Sequence, residues 1–212
     1  MEKKIKHLVL VLDRSGSMAT IVQDAEGGVA SLLADQRKAD AESEWQTIVT
    51  LVQFDDQIEL LTSREPVERV SWRCKPRGMT ALLDAVGTTV AGVLSTDETE
   101  ELAPVPEQTV LVIVTDGMEN ASTEYNTERT KEVMDRATKA GWTTIFLGAN
   151  QDAWAFSDGI GIDRRFSAQY AASPEGTRSA YASASGMVAN SAPGGRGRSF
   201  TEQDREDAMD ED

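Results

Sequence analysis

At 212 residues with 40% hydrophobic side chains, the chain can build one sizeable core with an appendage, and two full domains would be cramped. Its 21 basic and 36 acidic side chains leave a formal charge of −15, which repels phosphate backbones and anionic lipid surfaces and so excludes nucleic acid and membranes as general partners. The lone Cys74 allows no intrachain disulfide, the apolar run near the start stops at Asp13 without a small-residue cleavage site, and no stretch approaches the ~18 apolar residues of a membrane span; a cytoplasmic, unexported protein is expected.

His7 to Leu12 is apolar apart from its histidine, which predicts a strand covered on both faces, and it leads into Asp13, Ser15 and Ser17. His7, the only histidine, lies at the far end of this strand from Asp13 and is expected to be structural or exposed. From Thr20 to Lys38, Val22, Ala25, Val29, Leu32, Leu33 and Gln36 recur at three- and four-residue spacing, an amphipathic helix despite the cost of Gly27 and Gly28. Trp45 to Phe54 is rich in β-branched residues, and the acidic link Asp55-Asp56 reads as a hairpin turn, so Ile58 to Thr62 becomes an antiparallel edge strand. Ser63 to Met79 shows no period and reads as a loop. Thr80 to Leu94 then carries Leu82, Leu83, Val86, Val90, Val93 and Leu94 on one helical stripe, followed by a solvated acidic loop from Asp97 to Pro106.

Thr109 to Thr115 is a second apolar strand, and like the first it ends in an aspartate, Asp116, here followed by Gly117. Asn126 to Ala140 is a helix stopped by Gly141, Trp142 to Leu147 a third buried strand, Asp152 a cap for a short turn, and Arg165 to Tyr170 a last strand. Ser173-Pro174-Glu175 opens a helix whose buried stripe is Ala180, Tyr181, Ala184, Met187 and Val188. After Pro193 the pattern collapses, and Glu202 to Asp212 holds seven acids and one arginine. The division expected is a domain over residues 1–192 and an acidic, flexible tail over 193–212, with at most one capped turn at Thr201.

Strands alternating with helices predict an α/β fold: a doubly wound, mostly parallel open sheet with one antiparallel edge strand and helices on both faces. Ligands bind such sheets beyond the carboxyl ends of the strands, where strand order reverses. Asp13 and Asp116 end the two most apolar strands and meet over one crevice if those strands flank the reversal. With the hydroxyls of Ser15, Ser17 and Thr80 they form a set of hard oxygen donors, suited to Mg²⁺ or Mn²⁺, with Ca²⁺ as a substitute, and not to a histidine or cysteine zinc site. Neutral hydroxyls leave such an ion electrophilic, and one of its six positions stays open to an acidic group from outside. A competing reading makes Ser15, Ser17, Thr80 and Asp116 ordinary caps of helices and turns. Arg14, Trp72, Arg73, Arg77, Asn120 and Trp154 come from loops at the same sheet edge and are candidates for a partner surface. Asp84, one turn after Thr80, either supports the site or favours its own helix N-terminus.

These residues resemble a von Willebrand factor type A domain over about residues 5–190. Asp13-Arg14-Ser15-Gly16-Ser17, Thr80 and Asp116-Gly117 match the three separated parts of that family's metal-ion-dependent adhesion site, and the stretches around Met79 to Ala85 and Thr115 to Ser122 look like small bacterial and phage members. The resemblance implies that Ser15, Ser17 and Thr80 contact the ion directly in the liganded form. Asp13 and Asp116 would then act through waters, or directly when no ligand is present. The function expected is an Mg²⁺-dependent protein-binding module without catalysis, completed by Asp or Glu of another protein. One alternative is an Mg²⁺-dependent phosphohydrolase with Asp13 as nucleophile, but Ser15 stands where its acid/base carboxylate belongs, Lys131 and Lys139 lie on a helix, and no phosphate-binding glycine loop occurs. Another is an accessory subunit of a separate ring-forming ATPase. Cys74 and His7 are expected too far apart for a thiol dyad.

Overall fold

The side chains of the first strand alternate between two cores, Leu8, Leu10 and Leu12 to one face and Val9 and Val11 to the other, which is why its sequence reads as an unbroken apolar run. In the computed structural model, which describes residues 3–99, 105–149, 153–191 and 197–210, that strand is β1 (Lys4–Asp13). With β2 (Trp45–Phe54), β3 (Ile58–Pro66), β4 (Gln108–Thr115), β5 (Thr143–Gly148) and β6 (Ser167–Gln169) it forms one sheet, ordered β3-β2-β1-β4-β5-β6. Every pairing is parallel except β2 with β3. Strand order therefore reverses at β1, and Asp13 ends one residue beyond the Leu12↔Val114 pair, beside the end of β4.

The helices are α1 (Val22–Ala41), α2 (Leu82–Thr99), α3 (Thr127–Lys139), α4 (Ala153–Gly159), α5 (Pro174–Ala189) and α6 (Glu202–Ala208). α1 and α5 cover one face of the sheet and α2, α3 and α4 the other. Gly28 has a packing reason: a Cβ there would lie 2.4 Å from the Tyr181 ring, so α1 and α5 approach closely only without a side chain, whereas Gly27 has nothing within 4 Å. Asn126 caps α3 by accepting from Arg129 N, and Ser173 caps α5 by accepting from Gly176 N, with Pro174 in the first turn as the sequence predicts.

The expected architecture holds, with three local differences. β3 runs on to Pro66, and the stretch after it is not aperiodic: Val70, Trp72 and Cys74 alternate into the core against α1, too short and too interrupted by charge to read as a strand pattern. α2 continues through Asp97 to Thr99, where the acidic loop was expected, and Arg64 of β3 pairs with Asp97 at 3.1 Å. The acidic end carries more than one capped turn. Thr201 and Asp204 form a reciprocal capping box that opens α6, Ser183 of α5 donates to Asp204 at 2.9 Å, and Phe200 and Ala208 are buried. Two apolar residues eight apart in an acidic stretch leave no periodicity for a sequence reading to find. Asp152 and the start of the break after Pro193 lie outside the described residues. Among the described residues no helix is long and apolar enough to cross a membrane.

His7 is structural. It is buried on the α2 face, its Nε2 lies 2.8 Å from Thr50 Oγ1, and burial pushes its pKa down to about 3, so it stays neutral. Cys74 faces the other core, where burial pushes its thiol up to about 12, and the two cannot form a dyad. Phe200→Ala is expected to lower stability by about 3 kcal/mol in urea titrations, the cost of emptying a packed aromatic site; an unchanged midpoint would mean that the acidic end does not pack.

Candidate metal centre

The sheet edge at the strand reversal holds three buried or partly buried carboxylates, Asp13, Asp55 and Asp116, and only one of them has a counter-charge. Asp55 is fully buried and accepts from Arg14 Nε at 3.0 Å, Arg77 Nε at 2.6 Å and Gln57 N at 2.7 Å. Burial opposes its ionisation, but the Arg77 and Gln57 hydrogen bonds and the Arg14 charge hold its carboxyl below the usual range. Arg14 is spent entirely on this side, reaching Glu59 with its other arm at 2.7 Å. Among the described residues, no ion pair reaches Asp13 or Asp116.

Asp13 is 1% exposed and held by Ser15 N at 2.6 Å and Thr115 Oγ1 at 2.6 Å, the latter a bond between the ends of β1 and β4. Burial raises its pKa and these bonds work against the rise. Ser15 precedes a 3₁₀ turn (Gly16–Thr20) but makes no side-chain cap bond; its Oγ lies 3.0 Å from Ser17 Oγ, and Ser17 donates to Asp116 Oδ1 at 2.6 Å. The capping explanation therefore fails for Ser15. Thr80 completes the group. A Cβ built on Gly117 would meet Thr80 Oγ1 at 2.7 Å, Ser17 Oγ at 3.3 Å and Ser15 Oγ at 3.4 Å, so three hydroxyls from two separate stretches converge on one point that only a glycine leaves open.

Long-range clamps make this convergence possible. Arg77 N donates to Arg14 O, Gly16 N to Gly78 O and Ala81 N to Asp55 O, which sew the loop before α2 onto the loops after β1 and β2. Gly78 sits at φ +68°, a left-handed position, and turns the chain beneath Asp56 toward Thr80. Asn120 grips Thr80 on both sides, accepting from its N at 2.9 Å and donating its own N to Thr80 O at 3.0 Å. The opening N–H groups of α2 are capped from the loop after β4: Glu119 accepts from Leu83 N and Ser122 Oγ from Asp84 N. Asp84 returns the grip, accepting from Thr123 N, Glu124 N and Tyr125 N at 2.6–2.9 Å, so it orders the loop rather than touching the hydroxyls.

The arrangement fits a small divalent cation. Cis ligands of an octahedral ion with bonds of about 2.1 Å are about 3.0 Å apart, the Ser15–Ser17 separation observed. Among the described residues no group of three or more histidine, cysteine or acidic side chains is placed to hold a metal ion, and the groups that converge here are three hydroxyls beside two carboxylates. The sequence reading is corrected for part of the partner surface. Arg14 is buried against Asp55, and Trp72 is buried with its Nε1 donating to Gln53 Oε1 at 3.2 Å. Arg77 and Asn120 are exposed at the edge but already bonded, Arg73 is exposed and pairs with Glu26, and Trp154 is half-buried with Arg164 stacked on its ring at 3.8 Å. Thr115, Asp55, Glu119 and the gripping role of Asn120 were not found in the sequence; only the proximity of Thr115 to Asp116 pointed to any of them.

Asp116 carries the electrostatic cost. Burial, with the charge of Asp13 adding to it against the Ser17 bond, pushes its carboxyl from the ordinary 3.8 up to about 6. A raised pKa in the fold favours the protonated form, so this group's stabilising contribution is present below pH 3.8 and is lost as pH rises through about 6. In metal-free protein at pH 7.5, Asp116→Asn is expected to raise stability by about 1 kcal/mol once solvent screening is allowed for, and to make no such difference at pH 3.5. Urea titrations in EDTA at the two pH values check it.

No family model matches the sequence, and no curated protein matches it. Solved structures do match. The pilus adhesin SpaC of Lactobacillus rhamnosus GG superposes with a TM-score of 0.65 at 14% identity over 90% of this chain and 31% of its own. Proximal thread matrix protein 1 of the mussel byssus gives 0.59 at 13% over 89% of this chain and 47% of its own, and a further structure of it, with a zinc-occupied MIDAS motif, gives 0.53. A von Willebrand factor type A protein of Catenulispora acidiphila gives 0.51 at 15% over 89% of this chain and 43% of its own. The chain thus spans less than half the length of each. At these identities the likeness shows the fold alone: this chain has the fold of a von Willebrand factor type A domain.

Proposed function

We propose that the chain is a divalent-metal-dependent protein-binding module, with Mg²⁺ as the working ion, held by Ser15, Ser17, Thr80, Asp13 and Asp116. The convergence of three hydroxyls on the space above Gly117, beside two carboxylates without a counter-charge, carries this reading. When bound, the ion supplies an electrophilic centre with a coordination position open to an outside carboxylate. Asp13, fixed by Thr115 and Ser15 N, supplies charge from below. Ser17 and Asp116, now bonded to each other, re-aim their oxygens at the ion. Thr80, gripped by Asn120, keeps its hydroxyl in place. An Asp or Glu of the partner completes the shell.

Binding is favoured over hydrolysis by the neutral Ser15 at the position a phosphohydrolase needs for acid/base work, and by Lys131, which pairs with Asp135 at 3.6 Å on α3 instead of serving the edge. The zinc-occupied MIDAS motif of the mussel protein and the adhesin character of SpaC support a metal-dependent, non-catalytic role by similarity of fold.

Calorimetry should detect Mg²⁺ or Mn²⁺ binding at one site in the wild-type chain. Asp13→Ala is expected to abolish it. Gly117→Ala keeps all five donors but fills the space between them, and should weaken binding by at least about tenfold, since Mg²⁺ tolerates little departure from its ideal geometry. Undiminished affinity in both variants would place the ion elsewhere.

A further inference from the structure

Beyond the metal, the same edge presents apolar surface that the fold does not use. Among the described residues, Met118 is 60% exposed and Met79 55% exposed, and each lies within two residues of a metal-centre residue, Asp116 and Thr80. The Asn120–Thr80 bonds hold their two loops together, so both methionines belong to one surface. Beside them opens a cavity of about 120 Å³. Met118, Phe146, Ala153 and Phe156 wall it, and Thr115 and Gly117, the chain neighbours of Asp116, line it as well. The two phenylalanine rings stack at 5.6 Å between centroids, which makes that wall rigid. Glu119, also at the cavity, has its carboxylate committed to Leu83 N, Ala121 N and Ser122, so the interior stays apolar.

Gly117 connects the two features: the point above it is where the three hydroxyls converge, and it also lines the cavity. A ligand whose carboxylate binds an ion held at that point therefore has its next side chain within reach of the cavity. A cavity somewhat below the ~150 Å³ that takes up a benzene molecule matches one aliphatic side chain in size. Methionine side chains adapt to such an occupant.

We propose that the partner is a protein segment in which a leucine-sized aliphatic residue lies one or two positions from the acidic residue, the acid going to the ion and the aliphatic side chain into the Phe146–Phe156 cavity. This rests on the metal-binding reading above. Burying one such side chain adds about tenfold or more in affinity.

The test displays random heptapeptides with a fixed central Asp or Glu and selects them on the full chain in Mg²⁺ and in EDTA. The expected Mg²⁺-dependent pool is enriched in Leu, Ile, Val or Met next to the acid. Ala153→Leu, which fills the cavity, and the surface change Met118→Ser should each remove that enrichment and reduce binding of a selected peptide toward that of its alanine-substituted form. An acidic, Mg²⁺-dependent pool without aliphatic enrichment, or enrichment unchanged in both variants, overturns the cavity proposal and leaves the metal reading standing. A pool that is the same in EDTA overturns the metal reading, and this proposal with it.

Discussion

A buried carboxylate without a counter-ion is the constraint on which the candidate site depends. Asp13 ends the central strand at 1% exposure and is stabilised by hydrogen bonds, from Thr115 Oγ1 and from the backbone and side chain of Ser15. The Thr115 bond ties the ends of β1 and β4 together at the reversal of strand order, where the crevice opens. The contrast with Asp55 at the same edge is direct: Asp55 has two arginines and its carboxyl is held low, whereas Asp13 and Asp116 pair with none among the described residues and are both pushed up. Two arginines are concentrated on Asp55, and the cation proposed at this edge would supply the counter-charge that Asp13 and Asp116 lack among the described residues.

The loops at this edge serve that arrangement. Arg14 lies between Asp13 and Ser15 in sequence, yet its side chain turns away to Asp55 and Glu59, so its charge stays out of the space the hydroxyls face. Asp55 then anchors Arg77 and, through its carbonyl, Ala81, which brings Thr80 within reach of Gly117. Glu119, Ser122, Asp84 and Asn120 lock the loops before α2 and after β4 to each other, and Met79 and Met118 stand more than half exposed on those loops. Rigid support and exposed apolar surface are two results of the same clamps.

The sheet was legible because its signals are local. Apolar runs that end in aspartate, β-branched enrichment in β2, and the caps at Asn126 and Ser173 each sit within a few residues of the feature they specify. The five candidate donors were legible for a similar reason, since each stands at a strand end or helix start. Their support was not. Asp55 looks like any acid in a hairpin turn until Arg14 and Arg77 arrive from loops 41 and 22 residues away. Trp72 looked like an interface anchor because aromatic loop residues often are, but it alternates with Val70 and Cys74 into the core, a three-residue pattern too short to separate from chance. The acidic end likewise hid a helix behind its charge, because Phe200 and Ala208, not a stripe, make its contact.

The central claim is that the space above Gly117 holds a divalent ion. Crystals grown with Mn²⁺, measured at a wavelength where manganese scatters anomalously, test it most directly. One strong anomalous peak is expected, bonded to the hydroxyls of Ser15, Ser17 and Thr80, with Asp13 and Asp116 in the shell around it. A peak bonded to other residues, or none at this edge at saturating Mn²⁺, would contradict it.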